Sequence, residues 1–277
     1  MIAQVANNSR RMVLEMTDMT PSEYEQLLRQ SRSFLKDSTR KIMDFTRTDQ
    51  SLGIEAPPIE KPCQPDARRV DLPGPSQWNI PPKSVEDAIL NRSSRRDYAQ
   101  EPLSIEEIAF LLWATQGVRE LAPSGRVFRT VPSAGCRHAF ETYLAALDVE
   151  GLDGGIYRYL PTTHQLVFEF SVDNLPARLT EAALGQRFCG SAAAVFIWTA
   201  IPYRMEWRYG LATHTHKVIA LDAGHVCQNL YLACEAISAG TCAVAAYDQA
   251  AFDDLLKVDG EDEFVVYLAP VGRTIPR

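Results

Sequence analysis

The hydrophobic pattern changes character about eighty residues into the chain. Before that point, Tyr24, Leu27, Leu28 and Phe34 form only a thin apolar stripe at helical spacing. Thr20-Pro21-Ser22-Glu23 opens that helix, with Thr20 as N-cap, Pro21 at the first helical position and Glu23 closing a capping box. Prolines at 57, 58, 62, 65, 73, 75, 81 and 82 follow, too dense for a helix or a central strand. The stretch from Ile54 to Pro82 reads as an extended arm lying over a surface, or as a flexible leader. In an oligomer such an arm can wrap the neighbouring subunit.

Beyond Pro82 the periodicity is regular. Ser84-x-x-Asp87 opens a short helix ending near Asn91, and Ser104-Ile105-Glu106-Glu107 is a capping box. The helix it starts carries Ile108, Leu111, Leu112 and Thr115 on one side and closes at Gly117. Thr142–Val149 reads as a strand, and Gly155–Leu160 with Gln165–Phe170 as a hairpin. Helices are predicted over Leu175–Leu184, Lys217–Ser238 (ended by Gly240) and Gln249–Val258, and strands over Ala193–Ala200, Ala243–Tyr247 and Phe264–Val271. Helices and strands interspersed without a fixed repeat predict an α+β (mixed α/β) fold, with a central sheet flanked by helices over residues 82–277. Residues 1–81 form a separate N-terminal helix plus arm.

Composition narrows the function. The 277 residues are 46% hydrophobic and 23% charged, with a net charge of −7. That excludes disorder along the whole chain and a broad basic field for nucleic acid. The longest apolar run, Ala192–Ile201, is half of the roughly 20 residues that span a bilayer, so no membrane partner is expected. Nor does the N-terminus place a basic region before an apolar core. Cysteines at 63, 136, 189, 227, 234 and 242 form no C-x-x-C, which suits reduced thiols and a cytoplasmic protein. No metal is expected, because Thr213-His214-Thr215-His216 has no suitably spaced carboxylate or cysteine.

Four segments are candidates for chemistry. Arg92-Ser93-Ser94-Arg95-Arg96 reads as an anion cradle of guanidiniums and hydroxyls, or as a solvated basic turn. In Pro132-Ser133-Ala134-Gly135-Cys136, small residues let backbone approach a flat ligand, unless the segment is a simple turn. Asp222-Ala223-Gly224-His225-Val226-Cys227-Gln228-Asn229 places glycine and polar residues in an otherwise apolar helix. Ala239-Gly240-Thr241-Cys242 turns tightly from that helix into a strand, as a ligand-facing turn or a plain glycine cap. The G-x-S-x-G elbow, the phosphate loop G-x-x-x-x-G-K-[ST] and the G-x-G-x-x-G fingerprint do not occur.

In their order and spacing these segments are similar to the nitroreductase superfamily of FMN-dependent oxidoreductases, and within it to the SagB-type, azoline dehydrogenase-like branch. Arg92-x-Ser94-x-Arg96-Asp97-Tyr98, Leu111-Leu112-Trp113-Ala114-x-Gln116-Gly117 and Pro132-Ser133-Ala134-Gly135 match its opening. Gly155-Ile156-Tyr157-Arg158-Tyr159, Tyr209-Gly210, Asp222-Ala223-Gly224-His225-x-x-Gln228-Asn229-Leu230 and Ala239-Gly240-Thr241 continue it. The resemblance implies FMN at the interface of a homodimer, and a nitroreductase-like sheet. It sets Arg92, Ser93, Ser94 and Arg96 on the FMN phosphate and ribityl chain, and Pro132, Ser133, Ala134 and Gly135 along the isoalloxazine edge. Gln228, Ala239, Gly240 and Thr241 complete the cofactor set, with Arg273 (or Arg277) as the C-terminal phosphate ligand. NADH or NADPH is the implied reductant, and a small molecule or a peptide the substrate. Azoline-oxidising members carry Lys-Tyr before a glycine, where this chain has Arg208-Tyr209-Gly210. Arg208 and Tyr209 are therefore the catalytic candidates, although arginine cannot serve as a base at neutral pH. The alternative is a flavin-binding scaffold subunit with weak turnover that docks a partner enzyme or peptide.

Overall fold

The computed structural model describes residues 19–37, 40–123, 125–210 and 213–275, with only the backbone of Thr213 and His214. Its centre is a seven-stranded antiparallel sheet of β1 (Arg69–Asp71), β4 (Phe140–Ala146), β5 (Gly155–Leu160), β6 (Gln165–Phe170), β7 (Ala194–Ala200), β8 (Ala239–Thr241) and β9 (Phe264–Arg273). The order is β1-β6-β5-β4-β7-β9-β8, and β2 (Val118–Leu121) and β3 (Val127–Arg129) form a separate pair. The helices are α1 (Pro21–Ser33), α2 (Val85–Asn91), α3 (Ile105–Gln116), α4 (Leu175–Ala182), α5 (Tyr203–Tyr209), α6 (Thr213–Ala236) and α7 (Gln249–Leu256). The fold is α+β, as the interspersed pattern predicts. No helix among the described residues is long and apolar enough to cross a membrane.

The central strands bury both faces, which is why they read as continuous apolar runs. Along β7, Ala194, Phe196 and Trp198 point into a core with α3 and α6, while Val195 and Ile197 point into a second core with α4 and α7. The period of two thus divides one strand between two cores. Capping decides where helices begin: Thr20 and Glu23 close one box, Ser104 and Glu107 another, and Ser84 accepts from the Asp87 amide.

Several elements differ from expectation. Residues 243–247 make no strand; Val244 forms only an isolated bridge with Leu268. The strand is instead Ala239–Thr241, because β9 runs on to Arg273 and pairs back across it. The short strands β1 to β3 and helix α5 carry no legible periodicity. The arm is bound to its own protomer over part of its length. Strand β1 pairs with β6, and the carbonyls of Ile59, Lys61 and Pro62 accept from Arg129 and Arg158. The sheet thus takes strands from both sides of position 81/82.

Candidate active site

The sequence-predicted site residues gather at two places along α6. The first is at the sheet edge. Ser94 bridges Thr241, and the Arg95 amide donates to the Thr241 carbonyl at 2.9 Å. Strand β8 can lie this close because residue 240 is glycine: a Cβ there would stand 2.5 Å from Arg95 Cγ. Tyr231, which sequence reasoning missed, ties the cluster together. Its hydroxyl lies 3.0 Å from Ser94 Oγ and accepts from the Ala243 amide at 2.9 Å, and the Arg92 guanidinium sits 5.2 Å from its ring centre. Only contacts that span the fold mark this tyrosine, since in sequence it looks like one more apolar helix position. In the same segment Ser93 Oγ is buried without a hydrogen-bond partner among the described residues. A buried hydroxyl with no partner in an arginine-rich segment suits a site for an anion.

Other residues assigned to the phosphate sit differently. Arg96 reaches toward Phe188, at 5.8 Å from its ring centre. Arg273 grips both Glu107 oxygens at 2.8 and 2.9 Å and also donates to the Ile237 and Pro102 carbonyls. Its four Nη protons are thereby used inside the fold, which ties the end of β9 to the start of α3. Arg277 lies outside the described residues.

The second place is the turn after β3. Gly135, Cys136 and His138 all have positive φ, at 59°, 55° and 48°. Two side-chain L-residues held in the left-handed region cost of order 1–3 kcal/mol each, a strain that concentrates at functional turns. Asp222 holds this turn. Its buried carboxylate accepts from the Ala134 amide at 3.2 Å, while Ser133 Oγ accepts from the His138 amide at 2.9 Å. Burial raises the Asp222 pKa above the ordinary carboxylate value, against the hydrogen bonds from Ser133 and Ala134. Gly135 is required by its neighbours as well as its φ, since a Cβ would stand 2.5 Å from Arg208 Cδ and 2.8 Å from the Tyr209 hydroxyl. Both catalytic candidates on α5 are therefore brought against Pro132–Gly135. Arg208 Nη1 donates to Gln50 Oε1 at 3.0 Å, and its Nε is buried without a partner.

Asp222 and Tyr231 are nine residues apart on α6, or about 13–14 Å along its axis. Gln228 lies between them on the exposed side with Leu221, Gly224 and His225.

His138 gives this turn a pH response. Its Nε2 donates to the Val127 carbonyl at 2.9 Å, and burial with nearby Arg129 pushes its pKa down from 6.5 to about 3. The unfolded chain therefore takes up this proton first. The stability from His138 is complete above pH 6.5 and drains away as the pH falls toward 3. At about 1.4 kcal/mol per pH unit this reaches a few kcal/mol. Urea midpoints of wild type and His138→Gln should differ in slope between pH 6.5 and 4; parallel slopes would refute it.

Comparison with known proteins places the chain in a family. The nitroreductase family model matches residues 89–273. A Methanocaldococcus jannaschii protein named as a nitroreductase is 33% identical over 210 residues, covering 76% of this chain and 98% of its own length. The trifolitoxin-processing protein TfxB of Rhizobium leguminosarum bv. trifolii is 26% identical over 242 residues, 82% of this chain and 62% of TfxB. A Ralstonia eutropha crystal structure described as a nitroreductase shares the fold, with a TM-score of 0.63 at 24% identity, covering 78% of this chain and 93% of that one. This chain belongs to the nitroreductase family and is an oxidoreductase of that family.

Proposed function

We propose that this chain is an FMN-dependent oxidoreductase that works as a homodimer, with residues of both protomers at each flavin. The observation that carries the reading is the cluster of Arg92, Ser94, Tyr231 and Thr241, with the unpartnered Ser93 hydroxyl in the same segment. It fits the phosphate of a flavin mononucleotide by charge and by donor type. The turn at Ser133–Gly135 with Arg208 suits the ring edge: small residues allow close approach, and a permanent positive charge beside Gly135 stabilises negative charge developing there. When bound, FMN supplies hydride transfer at N5. The separation of the two clusters along α6 suits a site completed across a dimer. The helix side between them is free for a partner, because no atom lies within 4 Å of a Cβ built at Gly224.

NADH or NADPH is the proposed reductant and a small molecule or a peptide the substrate. Arg208 in place of lysine favours a second reading, a flavin-binding scaffold with weak turnover, because arginine does not accept a proton at neutral pH. The purified protein should be yellow, and heat should release a chromophore that co-migrates with FMN. Arg92→Ala should weaken FMN binding on the order of tenfold or more, the value of a charge-assisted phosphate contact. A colourless protein that takes up no added FMN defeats the flavin reading. Bleaching of the flavin by NADH or NADPH, followed by turnover with a quinone, separates enzyme from scaffold.

A further inference from the structure

The segment after α1 covers the helix that bears the catalytic candidates. The Gln50 amide donates to the Trp207 carbonyl at 2.9 Å, Trp207 Nε1 to the Ile54 carbonyl at 2.9 Å, and the Tyr203 hydroxyl to Asp49 at 2.8 Å. Between this strap and α5 lies an open cavity of about 240 Å³, lined by Arg40, Phe45, Thr48, Gln50, Ser51, Arg208 and Tyr209. We propose that this cavity is the substrate pocket and that it selects a small planar acid, with the carboxylate taken by Arg40 and Arg208 and the ring set among Phe45 and Tyr209; this rests on the oxidoreductase reading above.

Charge is the first argument. Among the described residues two arginines line the cavity and no acidic residue does. The carboxylates nearby are engaged: Asp49 by Tyr203, Asp44 by the Thr46 amide and hydroxyl, and Glu206 by His216. Among the described residues no carboxylate is paired with Arg40 or Arg208. A second, larger cavity along the strap is lined by Asp44, Asp49, Glu206 and Arg47 and so carries mixed charge. In a protein of net charge −7 a purely cationic pocket is a local reversal of sign, and it draws in anions.

Shape is the second. The Arg40 guanidinium stands 5.6 Å from the Phe45 ring centre, and that of Arg208 lies 5.6 Å from the Tyr209 ring centre. Both cations are thus placed by aromatic rings that also line the cavity. Arg208 Nε is packed toward Gly135, and of the terminal nitrogens Nη1 donates to Gln50 while Nη2 has no partner among the described residues and remains for a ligand. Drug-sized ligands need roughly 300–1,000 Å³, so this cavity takes one small acid. Position is the third. Arg208 and the Tyr209 hydroxyl also crowd Gly135, which brings the pocket to the edge of the proposed flavin site.

The test is calorimetric titration of the full-length, FMN-supplemented protein with benzoate and with benzamide, which differ in charge but little in shape. Benzoate should bind on the order of tenfold tighter or more, with a preference that fades as salt rises and is lost in the exposed-site variant Arg40→Gln. Equal binding of the two probes, or a benzoate preference unchanged in Arg40→Gln, overturns the pocket. The same samples are assayed for bound flavin. A benzoate preference without flavin leaves the pocket standing and sinks the flavin reading. Flavin without a benzoate preference does the reverse.

Discussion

Replacing Glu141 with Gln should lower the unfolding free energy by about 3–5 kcal/mol, the cost of removing one partner from a buried ion pair. Glu141 on β4 is 2% exposed and accepts from Arg204 at 2.5 Å and Arg158 at 3.4 Å, both of them equally buried. It also accepts from the Lys61 amide at 2.8 Å, while Arg158 donates to the Lys61 and Pro62 carbonyls. Glu141 therefore pairs with Arg204, shares Arg158 with Glu169, and anchors the arm. Glutamine keeps the shape but loses the charge, and its amide nitrogen turns a donor toward donors. Among the described residues the buried Arg204 then has no carboxylate partner, while Arg158 keeps Glu169 at 2.7 Å. The melting temperature should fall by roughly 10 °C, and the arm should become sensitive to protease near residue 61. A melting temperature within a degree or two of wild type would mean that the network is not under this electrostatic load. Flavin content in the folded fraction should stay the same, because none of these groups touches the proposed cofactor residues.

Gly224→Arg should act in the opposite way, leaving the protomer intact while splitting the proposed dimer. A Cβ at this position meets nothing within 4 Å, and Gly224 lies in the middle of α6, where glycine weakens a helix by about 0.8–1 kcal/mol. The substitution should therefore leave the protomer as stable as before or slightly more so. If the exposed side with Leu221, Gly224, His225 and Gln228 packs against a second copy, a long charged side chain there is excluded by both volume and desolvation. Light scattering should report half the wild-type mass, and flavin should be lost with the partner's half of the site. A variant that keeps both the dimer mass and its flavin would place the interface elsewhere.

Much of this protein was legible in its sequence. The capping residues Thr20, Ser84 and Ser104 set helix starts through hydrogen bonds within three residues, so local chemistry suffices to find them. The apolar run Ala193–Ala200 and the Gly155–Phe170 hairpin are likewise local. The four segments and their order also identified the family, because spacing along a chain survives folding unchanged.

What tertiary structure decided is what depends on residues far apart in sequence. Strand β8 exists because Arg273 and Gly272 come back across Ala239 and Gly240, and β1 because β6 offers it an edge. Tyr231 became part of the site only when Ser94 and Ala243 were brought to its hydroxyl. Arg273 looked free for a phosphate until Glu107, some 166 residues earlier, engaged both its Nη atoms. The strap over Arg208 and Tyr209 was equally invisible, since nothing in residues 40–54 has a period that points to α5. Sequence fixes hydrogen bonds and periodicities over a few residues, whereas buried charge pairs and cavity walls arise from packing, which joins positions that no local pattern connects.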